Sequence, residues 1–124
     1  MTGTDHMVLL AEPNQASSML YQHALLPVFE VIAAADKDMV LHILHTRPIE
    51  ALVLDPMIFV GRRWEQLAAV GHVCAERGIP LVICSTLDER RRGIQLGATT
   101  YLVKPTLPAT LLDTLQQVLG LARI

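Results

Sequence analysis

Five short apolar runs that alternate with longer segments of helical period constrain the fold of this chain more than any other feature. The runs cover residues 7–11, 28–34, 51–54, 79–84 and 101–103. Runs of this length without polar alternation are typical of strands buried on both faces, and such strands build parallel sheets covered by helices. Right-handed crossovers between them predict a doubly wound α/β sandwich, with one five-stranded parallel sheet between two helical layers.

Proline, glycine and capping residues set the predicted helix limits. The helices are expected to begin near residues 15, 37, 63, 88 and 108. The first should end before Pro27, because proline removes a backbone donor and restricts the residue before it. Asp36 can cap the second helix, which runs to about His45, and Gly78 and Gly97 can close the third and fourth. Five strands therefore alternate with five helices.

Length and composition are those of one globular domain. The 124 residues, 52% of them hydrophobic, predict a single domain over residues 1–124 with an aliphatic core. A formal net charge of -2 gives no general attraction to nucleic acid or to a membrane surface. We find neither a leader pattern nor an apolar run of membrane-spanning length, so a cytoplasmic protein is expected. Cys74 and Cys84 lie in apolar segments without metal-ligand spacing and are expected to be reduced core thiols.

Polar side chains follow four of the five predicted strands. Glu12 follows the first strand, Asp55 the third, Ser85 the fourth and Lys104 the fifth. Because ligands of doubly wound sheets bind outside the carboxyl ends of the strands, we expect these side chains to converge. Two carboxylates, a hydroxyl and an ammonium suit a divalent cation and a transferred phosphoryl group.

The segments around these residues resemble the response-regulator receiver family, and the resemblance extends over nearly the whole chain. GATTYLVKP (97–105) resembles the family's last loop and strand, and EALVLDPM (50–57) resembles the strand that carries the phosphoacceptor aspartate. IPLVICST (79–86) resembles the strand that ends in the switch hydroxyl, and VLLAEPN (8–14) the strand that ends in the acidic pair. The resemblance implies the flavodoxin-like receiver fold and a role in two-component signalling.

The resemblance also implies a role for each pocket residue. Asp55 would accept a phosphoryl group from a histidine kinase or phosphotransfer protein, with its carboxylate as nucleophile. Lys104 and Ser85 would bind the phosphoryl oxygens. Mg²⁺ would be held by Glu12, Asp55 and the backbone carbonyl of Met57.

A switch is implied beside the pocket. The Tyr101 ring would turn inward when Ser85 moves, and the surface of the fourth helix, fifth strand and fifth helix would then meet a downstream protein. Thr86 stands where the family commonly has Ala or Gly, and its branched side chain should narrow access to the phosphoryl site. The stretch from Ser85 to Lys104 is short for the family, by nearly one turn of helix, so an unusual output surface is expected.

Pro13 is the departure that bears most on the metal. It stands at the second position of the acidic pair, where proline supplies neither a charge nor an N–H group. Losing one charge at about 4 Å from a cation forfeits a few kcal/mol at an effective dielectric near 20, so Mg²⁺ binding should be weakened. Glu12 and Asn14 are open as partial substitutes.

Two functions remain open at this point. The first is a phosphoryl-accepting receiver, favoured because four of the five pocket positions keep competent chemistry. The second is a pseudo-receiver that binds a protein partner without being phosphorylated. An enzyme is not expected, since AEPNQAS after the first strand has no phosphate-cradling glycine and no serine-elbow or Cys-His pattern of a hydrolase is present. No DNA-binding helix pair follows the fifth helix, so output should pass through another protein, and the oligomeric state is undetermined.

Overall fold

The predicted parallel sheet is present in the computed structural model, which describes residues 6–121. The ends of the predicted domain, residues 1–5 and 122–124, lie outside the described residues. The strands are β1 (Met7–Ala11), β2 (Glu30–Ala34), β3 (Ala51–Leu54), β4 (Leu81–Ser85) and β5 (Thr100–Val103). All strand pairs are parallel, and the spatial order is β2-β1-β3-β4-β5, which confirms the doubly wound prediction.

Five α-helices connect and follow these strands. They are α1 (Gln15–Leu25), α2 (Lys37–Thr46), α3 (Arg63–Arg77), α4 (Arg90–Gln95) and α5 (Pro108–Val118). The side chain of Asp36 accepts a hydrogen bond from the Met39 N–H at the start of α2, as the sequence predicts for a cap. Gly78 ends α3 in the left-handed conformation that favours glycine, with φ of 67°. A short 3₁₀ turn (Pro56–Ile58) follows β3.

Two strands begin later than their apolar runs indicate. The N–H groups of Val28 and Phe29 both bond to the Leu25 carbonyl, so these residues extend the turn after α1 and β2 begins at Glu30. The Ile79 N–H bonds to the Cys74 carbonyl at 2.8 Å, which uses it to close α3. The predicted strand starts at residues 28 and 79 are therefore wrong. The N–H groups of these apolar residues form hydrogen bonds at the ends of α1 and α3 instead of pairing with a strand.

Apolar side chains fill both sides of the sheet. Alternate strand residues such as Leu9 and Leu52 pack with α2 and α3, whereas Val8 and Val53 pack with α1 and α5. This alternation produces the three-layer arrangement, because every strand contributes to both cores. Both cysteines are free and buried, which confirms the prediction of core thiols, and burial raises the pKa of Cys74 to about 11. Within residues 6–121, none of the helices is long and apolar enough to cross a membrane.

Candidate functional site

Four predicted side chains lie at the carboxyl edge of the sheet. Glu12, Asp55 and Lys104 directly follow β1, β3 and β5, and Ser85 is the last residue of β4. Strand hydrogen bonding continues into the site, since the Asp55 N–H bonds to the Ala11 carbonyl at 3.0 Å and the Lys104 N–H to the Ser85 carbonyl at 2.8 Å. The functional side chains are therefore held by the rigid rim of the sheet.

Lys104 joins the two carboxylates. Its Nζ lies 2.6 Å from Oε1 of Glu12 and 2.9 Å from Oδ2 of Asp55, and both acids are about 95% buried, with exposed fractions of 4% and 5%. Burial by itself would lower the pKa of Lys104, but hydrogen bonds and attraction from Glu12 and Asp55 outweigh it and raise the pKa above the usual ammonium range. One ammonium faces two carboxylates, so the cluster keeps one excess negative charge.

Each carboxylate oxygen in this cluster has a donor. The oxygen of Glu12 that does not contact Lys104 accepts the Asn14 N–H at 3.0 Å, and the second oxygen of Asp55 accepts the Met57 N–H at 2.9 Å. Buried charges are tolerated when they are paired and hydrogen-bonded in this way. The site is thus preorganised by the chain's own donors.

The oxygen donors of the site are of the kind that binds Mg²⁺, but there are few of them. Carboxylate and carbonyl oxygens are the ligands that Mg²⁺ takes in proteins. Across residues 6–121, no three His, Cys, Asp or Glu side chains are grouped so that they could hold a metal ion. Pro13 is exposed and brings no carboxylate, and the side-chain oxygen of Asn14 is used as the α1 cap, accepting the Ser17 N–H at 2.8 Å. Substitution for the lost acid by the Asn14 amide, which the sequence left open, would therefore require breaking that cap.

Ser85 and Tyr101 meet at the backbone of Leu87. Ser85 is fully buried, and its Oγ accepts the Leu87 N–H at 3.1 Å. The Tyr101 ring is also buried, and its hydroxyl donates to the Leu87 carbonyl. Burial raises the pKa of Tyr101, so the hydroxyl keeps its proton and remains a donor at neutral pH. Thr86, between Ser85 and Leu87, is exposed.

Tyr21 is a neighbour of the site that no sequence motif indicated. Its ring centroid lies 6.0 Å from the Lys104 Nζ, and its hydroxyl donates to the Thr106 carbonyl at 3.2 Å. Burial raises the pKa of Tyr21 to about 12. From its helical spacing alone, Tyr21 is expected only to be a core residue of α1. Its contact with Lys104 depends on how α1 and β5 lie in space.

Comparison with known proteins supports the receiver resemblance. No protein-family model matches the sequence. Among curated proteins, a probable transcriptional regulator ycf27 of Cyanidium caldarium is 24% identical over 117 residues, which cover 92% of this chain. The chain spans 46% of the length of that relative.

Solved structures of response regulators superpose over most of the chain. The chemotaxis response regulator CheY4 of Vibrio cholerae is 28% identical, with a TM-score of 0.81, and the match covers 93% of this chain and 99% of that one. A CheY-like receiver domain protein of Methanospirillum hungatei is 18% identical, with a TM-score of 0.80, over 93% of this chain and 94% of that one. The resemblance predicted from the sequence is confirmed, and this chain has the fold of the response-regulator receiver domains.

Proposed function

We propose that the chain is a receiver domain that accepts a phosphoryl group on Asp55 and signals by contact with another protein. The observation that carries the proposal is the bond between the Lys104 ammonium and the Asp55 carboxylate at the sheet edge. A buried nucleophile with an adjacent cation suits phosphoryl transfer, because positioning and charge stabilisation dominate that chemistry.

The proposed transfer forms one bond and breaks one. An Asp55 carboxylate oxygen attacks the phosphorus of the donor, and the bond from phosphorus to the donor's leaving group breaks as the new acyl phosphate forms. The Met57 N–H keeps the other Asp55 oxygen in place. Lys104 can transfer its hydrogen bond from Asp55 to a phosphoryl oxygen while it keeps its bond to Glu12. Bound at Glu12, Asp55 and the Met57 carbonyl, Mg²⁺ would supply neutralisation of the charge on the phosphoryl group.

The proposed partners are of two kinds. A histidine kinase or phosphotransfer protein would donate the phosphoryl group, and a downstream protein would bind the face formed by α4, β5 and α5. Ser85 links the pocket to this face. It lies on the strand next to Lys104, and its hydroxyl accepts a hydrogen bond from the loop that leads into α4. The protein would signal without being an enzyme, as the response regulators that it matches are signalling proteins.

A pseudo-receiver is the second candidate, and one observation favours it. All four oxygens of Glu12 and Asp55 already have donors in the chain, and Pro13 removes the acid that would add to metal binding. A pocket satisfied in this way is stable without modification. The domain would then act only as a protein-binding module.

Intact mass spectrometry separates the two candidates. The protein is incubated with a small acyl phosphate, or with a phosphorylated histidine kinase, across a range of Mg²⁺ concentrations. We expect the mass of one phosphoryl group to be added to the wild type and to Asp88→Asn, which changes an exposed aspartate, but not to Asp55→Asn. If the wild type gains no phosphoryl mass from either donor at any Mg²⁺ concentration, the phosphoacceptor proposal fails and the pseudo-receiver stands.

A further inference from the structure

Gly93 lies where α4 comes closest to β5. A Cβ atom on Gly93 would lie 2.4 Å from Cδ2 and 2.6 Å from Cε2 of Tyr101, and 3.2 Å from Cδ1 of Ile83. The first two distances are far inside the van der Waals contact of two carbon atoms. The ring of Tyr101 and any side chain at position 93 therefore cannot occupy this space together.

The far end of the Tyr101 ring is held as well. Its hydroxyl donates to the Leu87 carbonyl, and the Leu87 N–H donates to the Ser85 hydroxyl, so one loop residue joins the serine and the tyrosine. The ring thus lies between Gly93 on one side and the start of the β4–α4 loop at its tip. Both contacts of the ring are made within the chain.

A second close approach lies at the C-terminal end of α4. A Cβ atom on Gly71 of α3 would lie 2.3 Å from the carbonyl oxygen of Leu96, just after α4. The short helix α4 therefore rests on α3 through one glycine and on Tyr101 through another. Its position is restricted at two points, Gly93 and Leu96, because neither contact leaves room for a methyl group.

We propose that Gly93 is the positioning residue that admits the Tyr101 ring beneath α4, so that packing fixes the inward ring and the place of α4 together, independently of phosphorylation. The partner surface on α4 and β5 is then already formed in the unmodified protein. Phosphorylation of Asp55 would then act on that surface through Ser85 and Leu87, in place of the inward turn of the Tyr101 ring that the sequence resemblance implies.

Fluorine NMR of protein labelled with 3-fluorotyrosine measures the ring directly. The chain has two tyrosines, so Tyr21→Phe assigns the two resonances. Before any phosphodonor is added, we expect the Tyr101 resonance to show the small solvent-isotope shift of a buried ring. In Gly93→Ala we expect the large shift of an exposed ring, whereas Arg91→Ala, an exposed change on the same helix, should leave the resonance unchanged.

Thermal unfolding of a double-mutant set tests the contact even where Gly93→Ala is poorly folded. In the wild-type background Gly93→Ala should lower the unfolding midpoint, because the methyl group collides with the ring. In the Tyr101→Ala background the same change should raise the midpoint, because alanine is a better helix former than glycine. A lowered midpoint in both backgrounds would contradict the assigned contact.

The ring measurement is independent of whether Asp55 is a phosphoacceptor. A Tyr101 ring that is exposed in the unmodified protein, or one that stays buried in Gly93→Ala, would overturn the positioning role. Neither result depends on the phosphoryl mass, which alone decides the proposed transfer to Asp55. The two proposals can therefore fail separately.

Discussion

Replacing Lys104 with methionine tests whether one ammonium holds two buried carboxylates together. The change keeps the length and apolar stem of the side chain but removes the charge. Glu12 Oε1 and Asp55 Oδ2 both contact the same nitrogen, so the two oxygens lie within about 6 Å of each other. At an effective dielectric of 20, two unit charges at about 6 Å repel by about 3 kcal/mol. Removing one partner of a buried ion pair typically costs about 3–5 kcal/mol.

We therefore expect Lys104→Met to lower the free energy of unfolding by about 3 kcal/mol at pH 7.5. In the wild type the folded pKa of Lys104 is raised, so its stabilisation is fully present below the ordinary ammonium pKa and is lost only as pH rises through the raised value. At pH 7.5 the stabilisation from the wild-type lysine is therefore fully present.

Urea unfolding at pH 7.5 measures the loss. Lys37→Met is the matched control, because Lys37 makes no ion pair or hydrogen bond through its side chain in the described structure, and its effect should stay within about 0.5 kcal/mol. Adding Glu12→Gln to Lys104→Met should recover part of the lost stability at pH 7.5. No recovery of stability in the double variant would refute repulsion between the carboxylates as the cause.

Three other changes test separate parts of the structure. Pro13→Asp should tighten Mg²⁺ binding by at least about tenfold in a calorimetric titration, because it adds a carboxylate next to Glu12; unchanged affinity would contradict the expectation that Pro13 weakens the site. Asp36→Ala should lower the free energy of unfolding by about 1 kcal/mol through loss of the cap on Met39, while Asp38→Ala, an exposed neighbour, should cost less. Gly78→Ala should cost about 1 kcal/mol in the same urea assay, because φ of 67° strains a residue with a side chain; no loss would contradict the assigned conformation.

The architecture was predictable because burial on both faces leaves a direct trace in the sequence. A run such as Ala51–Leu54 has no polar residue to face solvent, and the observed strand matches it at both ends. The predicted start of β2 at residue 28 failed for a local reason, since the N–H groups of Val28 and Phe29 bond back to Leu25. A run of apolar residues indicates that a segment is buried. It does not indicate which carbonyl group accepts a hydrogen bond from each N–H group.

The location of the site was predictable for a geometric reason. Parallel strands place their carboxyl ends at one edge, so residues far apart in sequence, such as Glu12 and Lys104, could be expected to meet there. The bonding of Lys104 to both acids was not predictable. Differences of a few tenths of an ångström in the positions of separate strand ends decide whether one ammonium reaches both carboxylates. The commitment of the Asn14 side chain to the α1 cap was likewise hidden, because Asn14 has the chemistry of a cap and of a metal ligand alike.

Gly93 shows a different limit of sequence interpretation. A glycine inside a helix signals a packing or functional reason, but it does not name the neighbour that needs the space. The neighbour is Tyr101, eight positions later in the chain and on another element. The pocket and α4 are thus held by different forces, ion pairing at Lys104 and close packing at Gly93, and Leu87 bonds to both Ser85 and Tyr101 between them. Ser85 lies on the strand next to Lys104 and contacts Leu87 in the loop that leads into α4, so we expect Ser85→Ala to weaken the coupling of the pocket to α4.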